Sequence, residues 1–153
     1  MEQNEARKPY TPFRPNYEQV RFPMPQTVPA GLSLELSRAR LLPGKEEEHD
    51  AWMQMLTDRY DECLDTLSAE RACFEATFRH TEADGSVWMY HLQLVGTEGG
   101  GLDVSNPVDA EHEARARQVK EAGWEDLRPV FMLAPQHIMD AMIAWARTGR
   151  LDS

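Results

Sequence analysis

Two cysteines in 153 residues cannot build a disulfide scaffold or an all-cysteine zinc site. No apolar run approaches the ~18–20 residues of a membrane-spanning helix. The opening residues, MEQNEARKPY, lack the apolar stretch of a secretory signal, so a cytoplasmic protein is expected. Positive charge is also scarce. Sixteen Lys and Arg stand against 26 Asp and Glu, a net charge of -10, which argues against a general nucleic-acid partner. The five histidines show no H-x-x-x-H or H-E-x-x-H spacing, so no metal site is expected. The Gly-rich run Gly96–Gly101 lacks the Gly-Lys-Ser/Thr ending of a phosphate loop, and its Glu98 would repel phosphate. It reads as a flexible loop. No cofactor motif is visible and none is expected.

What is present is a globular composition, 41% hydrophobic and 27% charged, at a length that suits one domain. Six of the ten prolines fall within residues 1–29, interleaved with Tyr10, Phe13, Tyr17 and Phe22. Such a stretch is neither helix nor inner strand. Residues 1–31 therefore read as an extended arm lying on the body or on a partner subunit, with a disordered leader as the alternative. The arm holds four basic and three acidic residues, leaving 12 against 23 in the body.

From Leu32 the alternation Leu-Ser-Leu-Glu-Leu predicts a strand running to Leu42 and stopped by Pro43-Gly44. His49, Met53, Leu56, Tyr60, Cys63 and Leu67 recur at helical spacing. They predict one amphipathic helix of about six turns, from Glu46 to Ala69, with Tyr60 on its buried stripe. Ala72–His80 and Val87–Val95 alternate around Glu82-Ala83-Asp84-Gly85, a hairpin. A second helix is expected from Asp109 to Ala122, ended by Gly123. A last strand is expected over Leu127–Leu133, at a sheet edge or bulged because Pro129 cannot donate to a ladder. Pro135–Arg147 carries an apolar helical face. The body thus spans residues 32–134, followed by a C-terminal helix and tail, 135–153. The order is an α+β, ferredoxin-like βαββαβ antiparallel sheet with two helices on one face. Its other face would be bare, and a homodimer packed sheet on sheet would cover it.

Four stretches carry a resemblance: Arg38–Lys45 (RARLLPGK), Asp58–Phe78, Asp84–Tyr90 and Asn106–His112 (NPVDAEH). They resemble a family of small bacterial domains of unknown function, over about residues 36–125. That family is similar to the dimeric α+β barrel superfamily, which includes cofactor-free quinol monooxygenases, rhamnose mutarotases and haem-binding chlorite dismutase relatives. The resemblance implies a dimeric barrel and specifies no reaction. Haem ligation by His112 or His91 rests on this analogy alone.

Polar residues on strand faces supply the candidate site. Glu75 and His91 lie on neighbouring strands, and Arg38 and Arg40 lie late in the first. If these faces coincide, a Glu/His pair can move a proton while an arginine holds an anion. The bland alternative is a cross-strand salt bridge. Asp109 is placed to cap the second helix, with His112 in its first turn, where the helix dipole would keep the imidazole neutral. That suits a general base; the alternative is a cap beside a surface histidine. Tyr60 could point its phenol at a pocket, or serve as core. Glu62 and Glu70 read as solvated or paired. Glu75, His91 and His112 are thus the candidate catalytic residues, with Arg38, Arg40, Tyr60 and Asp109 as candidate substrate contacts. The expected function is binding of, or proton transfer on, a small metabolite between sheet and helices. The alternative is a non-catalytic homodimeric module that engages a partner through its arm and C-terminal helix.

Overall fold

The computed structural model describes residues 22–103 and 105–150. Its elements are β1 (Leu32–Arg40), α1 (Glu46–Asp58), α2 (Tyr60–Glu70), β2 (Ala72–Thr81), β3 (Val87–Gly96), α3 (Pro107–Val119), β4 (Glu125–Leu127) and α4 (Gln136–Thr148). The fold is α+β, with an open antiparallel sheet ordered β2-β3-β1-β4 and, among the described residues, four helices. β2 and β4 lie at the edges. The chain order is not a plain βαββαβ, because two helices occupy the first connection. No helix among the described residues is long and apolar enough to cross a membrane.

The expected six-turn helix divides at Arg59, whose backbone leaves helical geometry at φ -108 and ψ 33. Thr57 donates its hydroxyl to the Met53 carbonyl one turn back, a contact that bends helices. Arg59 also reaches out of line to ion pairs with Glu62 and Glu111. The bend turns Tyr60 outward. It is 61% exposed, not part of the buried stripe.

The start of α3 also differs from the sequence expectation. The Asn106 side chain, not that of Asp109, accepts from the Val108 N–H, and Pro107 fills the first turn, where its missing N–H costs nothing. The helix ends at Val119, before Gly123, because Lys120 is extended and bridges to Leu41. β4 is three residues long, ending before Pro129 where a strand to Leu133 was expected. β1 likewise stops at Arg40, two residues early.

The register divides the sheet into two faces. Ala39 and Met89 face α1 and α3, where they pack with Trp52, Met55, Val108 and Val119. Farther along this helix-side face the residues become polar: Ser37 opposite His91, Glu35 opposite Gln93, and Glu75 opposite Gln93 from the other side. The opposite face carries Leu34, Leu36, Tyr90, Leu92, Phe74 and Phe78. α4 and Val28 cover one end of it, around Leu32 and Leu94. Phe74 and Phe78 remain 38% and 54% exposed.

The described end of the arm touches the body. Phe22 lies under the Arg128 guanidinium at 5.3 Å, and the Thr27 hydroxyl accepts from the Met132 N–H at 2.9 Å. Residues 1–21, which hold most of the expected arm, lie outside the described residues.

Candidate functional site

The polar half of the helix-side face forms the floor of the site. Alternation along β3 puts His91 and Gln93 there, and the hairpin register places Thr77 and Glu75 beside them. α2 ends at Arg71 in a left-handed conformation, φ 58, which turns the chain directly into β2. Glu70, at the end of α2, is thereby returned to Glu75. α3 brings Asp109 and His112 over the same floor.

Four of the seven expected residues come together, Glu75, His91, Asp109 and His112, and three do not. Glu75, His91 and His112 are close enough that the charges of the first two act on the third. Arg38 and Arg40 pair in register with Tyr90 and Trp88, on the opposite face. The convergence expected of them with Glu75 and His91 is therefore absent. Their guanidiniums lie 4.2 and 5.8 Å from the Trp88 ring and ion-pair with Glu125 and Glu121. Tyr60 is at the surface. Asp109 is buried and accepts the Asp103 N–H at 3.1 Å, so it pins the preceding loop.

Hydrogen bonding orients both histidines and fixes the tautomer of His112. The Trp52 Nε1–H donates to His112 Nδ1 at 2.8 Å. Indole is only a donor, so Nδ1 must be the acceptor and the ring proton lies on Nε2. Burial lowers the His112 pKa, which keeps the ring neutral. Neutral His112 therefore offers a donor and no free lone pair. The cause is burial, where the helix dipole was expected. On β3, the Gln93 amide nitrogen donates to Glu35. Its carbonyl oxygen is then the partner of His91 Nε2 at 3.3 Å. His91 therefore donates from Nε2, which makes Nδ1 the ring nitrogen that can exchange a proton, and its ring lies 6.1 Å from that of Trp124.

A second proton store adjoins them. Glu70 is half-buried and shares a hydrogen bond with the Glu75 carboxyl; burial, then the Glu75 charge, raises its pKa to about 8. Glu70 therefore holds a proton near neutrality, shared in its hydrogen bond with the Glu75 carboxyl. Glu70 is paired, as one of its readings had it, but the partner is another acid.

A cleft of about 670 Å³ opens beside α3, with Trp52, His112, Lys120 and Trp124 in its wall. Lys120 is buried. Its Nζ donates to the Glu121 and Gly123 carbonyls, both at 3.1 Å, and rests 4.5 Å from the Trp124 ring centre. Removal from water lowers its pKa to about 8. Glu35, Gln93, Trp52, Lys120 and Trp124 were not singled out from the sequence. Only Glu35 left a local signal, a carboxylate alternating against Leu34 and Leu36. Among the described residues no group of three His, Cys, Asp or Glu side chains is disposed to hold a metal ion.

A family of unknown function, DUF6176, matches residues 32–140 of the chain. No curated protein and no solved structure matches it.

Proposed function

We propose that this chain, a member of the DUF6176 family, binds a small metabolite in the cleft beside α3 and transfers a proton on it with its own side chains. The carrying observation is the gathering of His91, His112 and Glu75 on one face of the sheet, with His112 committed to an Nε2–H donor. A carbon acid reaching from the cleft past Trp124 toward His91 would lose its proton to Nδ1. The oxygen that gains charge would be held by His112 Nε2–H, a role that suits a neutral imidazole. Glu70 and Glu75 would return or store the proton.

The test is deuterium wash-in from D2O on a panel of enolisable keto acids and diketones, followed by proton NMR. The expected outcome is exchange with at least one compound, slowed about 10²–10⁴-fold in His91→Ala, the usual contribution of general base catalysis. Tyr60→Phe should leave the rate unchanged. Exchange that is indifferent to His91 and Glu75, or absent throughout, defeats the reading.

The ferredoxin-like, dimeric barrel arrangement belongs to the same proposal. Its support is the pair of edge strands β2 and β4 and the bare apolar face around Phe74 and Phe78. A second copy on that face would remove it from water. Sedimentation should then show a dimer that Phe78→Lys converts to monomer; a wild-type monomer would end this part of the proposal. The alternative, a non-catalytic interaction module, is favoured by a different patch. Val130, Phe131 and Leu133 are 75%, 63% and 82% exposed just ahead of α4. Retained exchange activity in a Phe131→Ser, Leu133→Ser variant that has lost a partner protein would separate the two readings.

A further inference from the structure

The chain contains only three lysines, Lys8, Lys45 and Lys120, against thirteen arginines. Two of the three have ordinary explanations or none. Lys45 is solvated and pairs with Glu48 at 3.5 Å, and Lys8 precedes the described residues. Lys120 is different. It is buried at the wall of the cleft, and its hydrogen bonds go to two backbone carbonyls instead of a carboxylate. The charged groups around it are already engaged. Glu113 pairs with Arg117 at 2.6 Å, and Glu121 with Arg40 at 3.2 Å.

We propose that Lys120 is a carbonyl-reactive amine, and that the cleft takes a small aldehyde or 2-oxo acid as a protonated imine on its Nζ. An arginine in its place would hold a charge more firmly and could never lose it. A buried lysine without a carboxylate partner gives up its proton readily, and the neutral amine is the nucleophile. The lowered pKa of Lys120 agrees with this. In the step itself, Nζ loses a proton to solvent and attacks the carbonyl carbon, giving a carbinolamine. Its hydroxyl then takes a proton and leaves as water. In balance, ammonium plus carbonyl compound give protonated imine plus water, with no change of charge or oxidation state. The His112 Nε2–H lines the same cleft and is placed to assist departure of the hydroxyl. The Trp124 face that lies against the ammonium would lie against the iminium in the same way.

This inference rests on the cleft being a binding site, as proposed above, but not on proton transfer by the histidines. The test therefore reads mass, not turnover. The full chain is incubated with glyoxylate and sodium cyanoborohydride, which reduces any imine to a stable secondary amine. Intact and peptide mass spectra then locate the adduct. Lys120 should be labelled at least about tenfold faster than Lys45, because its amine is neutral more of the time at neutral pH. Lys120→Arg should melt like the wild type and lose the cleft adduct. His91→Ala should keep it, whatever becomes of proton exchange. Labelling of Lys45 at an equal or greater rate, or a folded protein with Lys120 unlabelled, overturns the proposal. If Lys120→Arg fails to fold, the Lys120 to Lys45 ratio in the wild-type chain still decides.

Discussion

Trp52, on α1, holds His112, on α3, by its Nδ1 at 2.8 Å. Because the indole can only give a proton, the contact determines which nitrogen of His112 faces the chemistry. Imidazolium formation would require a proton on the nitrogen that Trp52 already occupies. As pH falls, nitrogen-15 spectra should show His112 keeping its neutral Nε2–H form to lower pH than a free histidine does. In Trp52→Phe, Nδ1 is released and the ring should begin to take up a proton as pH falls. Loss of the bond should also destabilise the fold by about 1–3 kcal/mol, the cost of leaving a buried polar atom unpaired. An unchanged, ordinary titration in both proteins would contradict this account.

The Glu70–Glu75 pair makes a separate statement about pH. Glu70 binds its proton more tightly in the folded chain, with a pKa of about 8, than a free glutamate does at 4.5. Between those values the folded state holds more protons than the unfolded one, so stability must fall as pH rises. Below pH 4.5 this contribution is fully present; above about 8 it is gone. Glu70→Gln is neutral throughout and should abolish the slope. The check is the difference in Tm between wild type and variant across that window. It should favour the variant increasingly toward the alkaline side, and a flat difference would refute the shared proton.

Gly96, at the end of β3, sits where α4 crosses the sheet. A Cβ there would stand 2.3 Å from the Ala146 carbonyl oxygen, a backbone atom that cannot swing aside. Gly96→Ala should therefore lift α4 from the sheet at a cost of about 1–3 kcal/mol, typical of overpacking. Trp145 reports on it directly, since its Nε1–H donates to the Ala72 carbonyl at 2.8 Å. Its fluorescence should shift to the red, and thermal melting should occur earlier. A variant that melts with the wild type would show that α4 is held elsewhere.

Much of the fold was legible because alternation and helical spacing survive folding wherever one face is buried. β2 and β3 and their hairpin with Gly85 at φ +85 follow from local chemistry, whereas the strand expected over Leu127–Leu133 shares only Leu127 with β4. The bend at Arg59 was not legible, since neither glycine nor proline marks it. Asn106 was overlooked as a cap because it precedes proline, a position that reads as loop until the helix is seen. The site was only half legible. Hairpin geometry alone aligns Glu75 and Thr77 with Gln93 and His91. The register of β1 against β3 depends on residues far apart in the chain, and it places Ser37, not Arg38, opposite His91. Lys120 and Glu70 owe their properties to what surrounds them. Sequence spacing carries no record of that.

The extra residue at Cys73 has a consequence for how this chain can change in length. β2 absorbs one residue between Ala72 and Phe74 and then resumes its pairing. β3 has no such slack. It is paired on both edges and committed on both faces, with His91 beneath the helices and Trp88, Tyr90 and Leu92 on the other side. One residue inserted or removed within it would exchange those faces at a stroke. Substitution in β3 alters the site or the bare surface one residue at a time. A shift of frame would turn the molecule inside out.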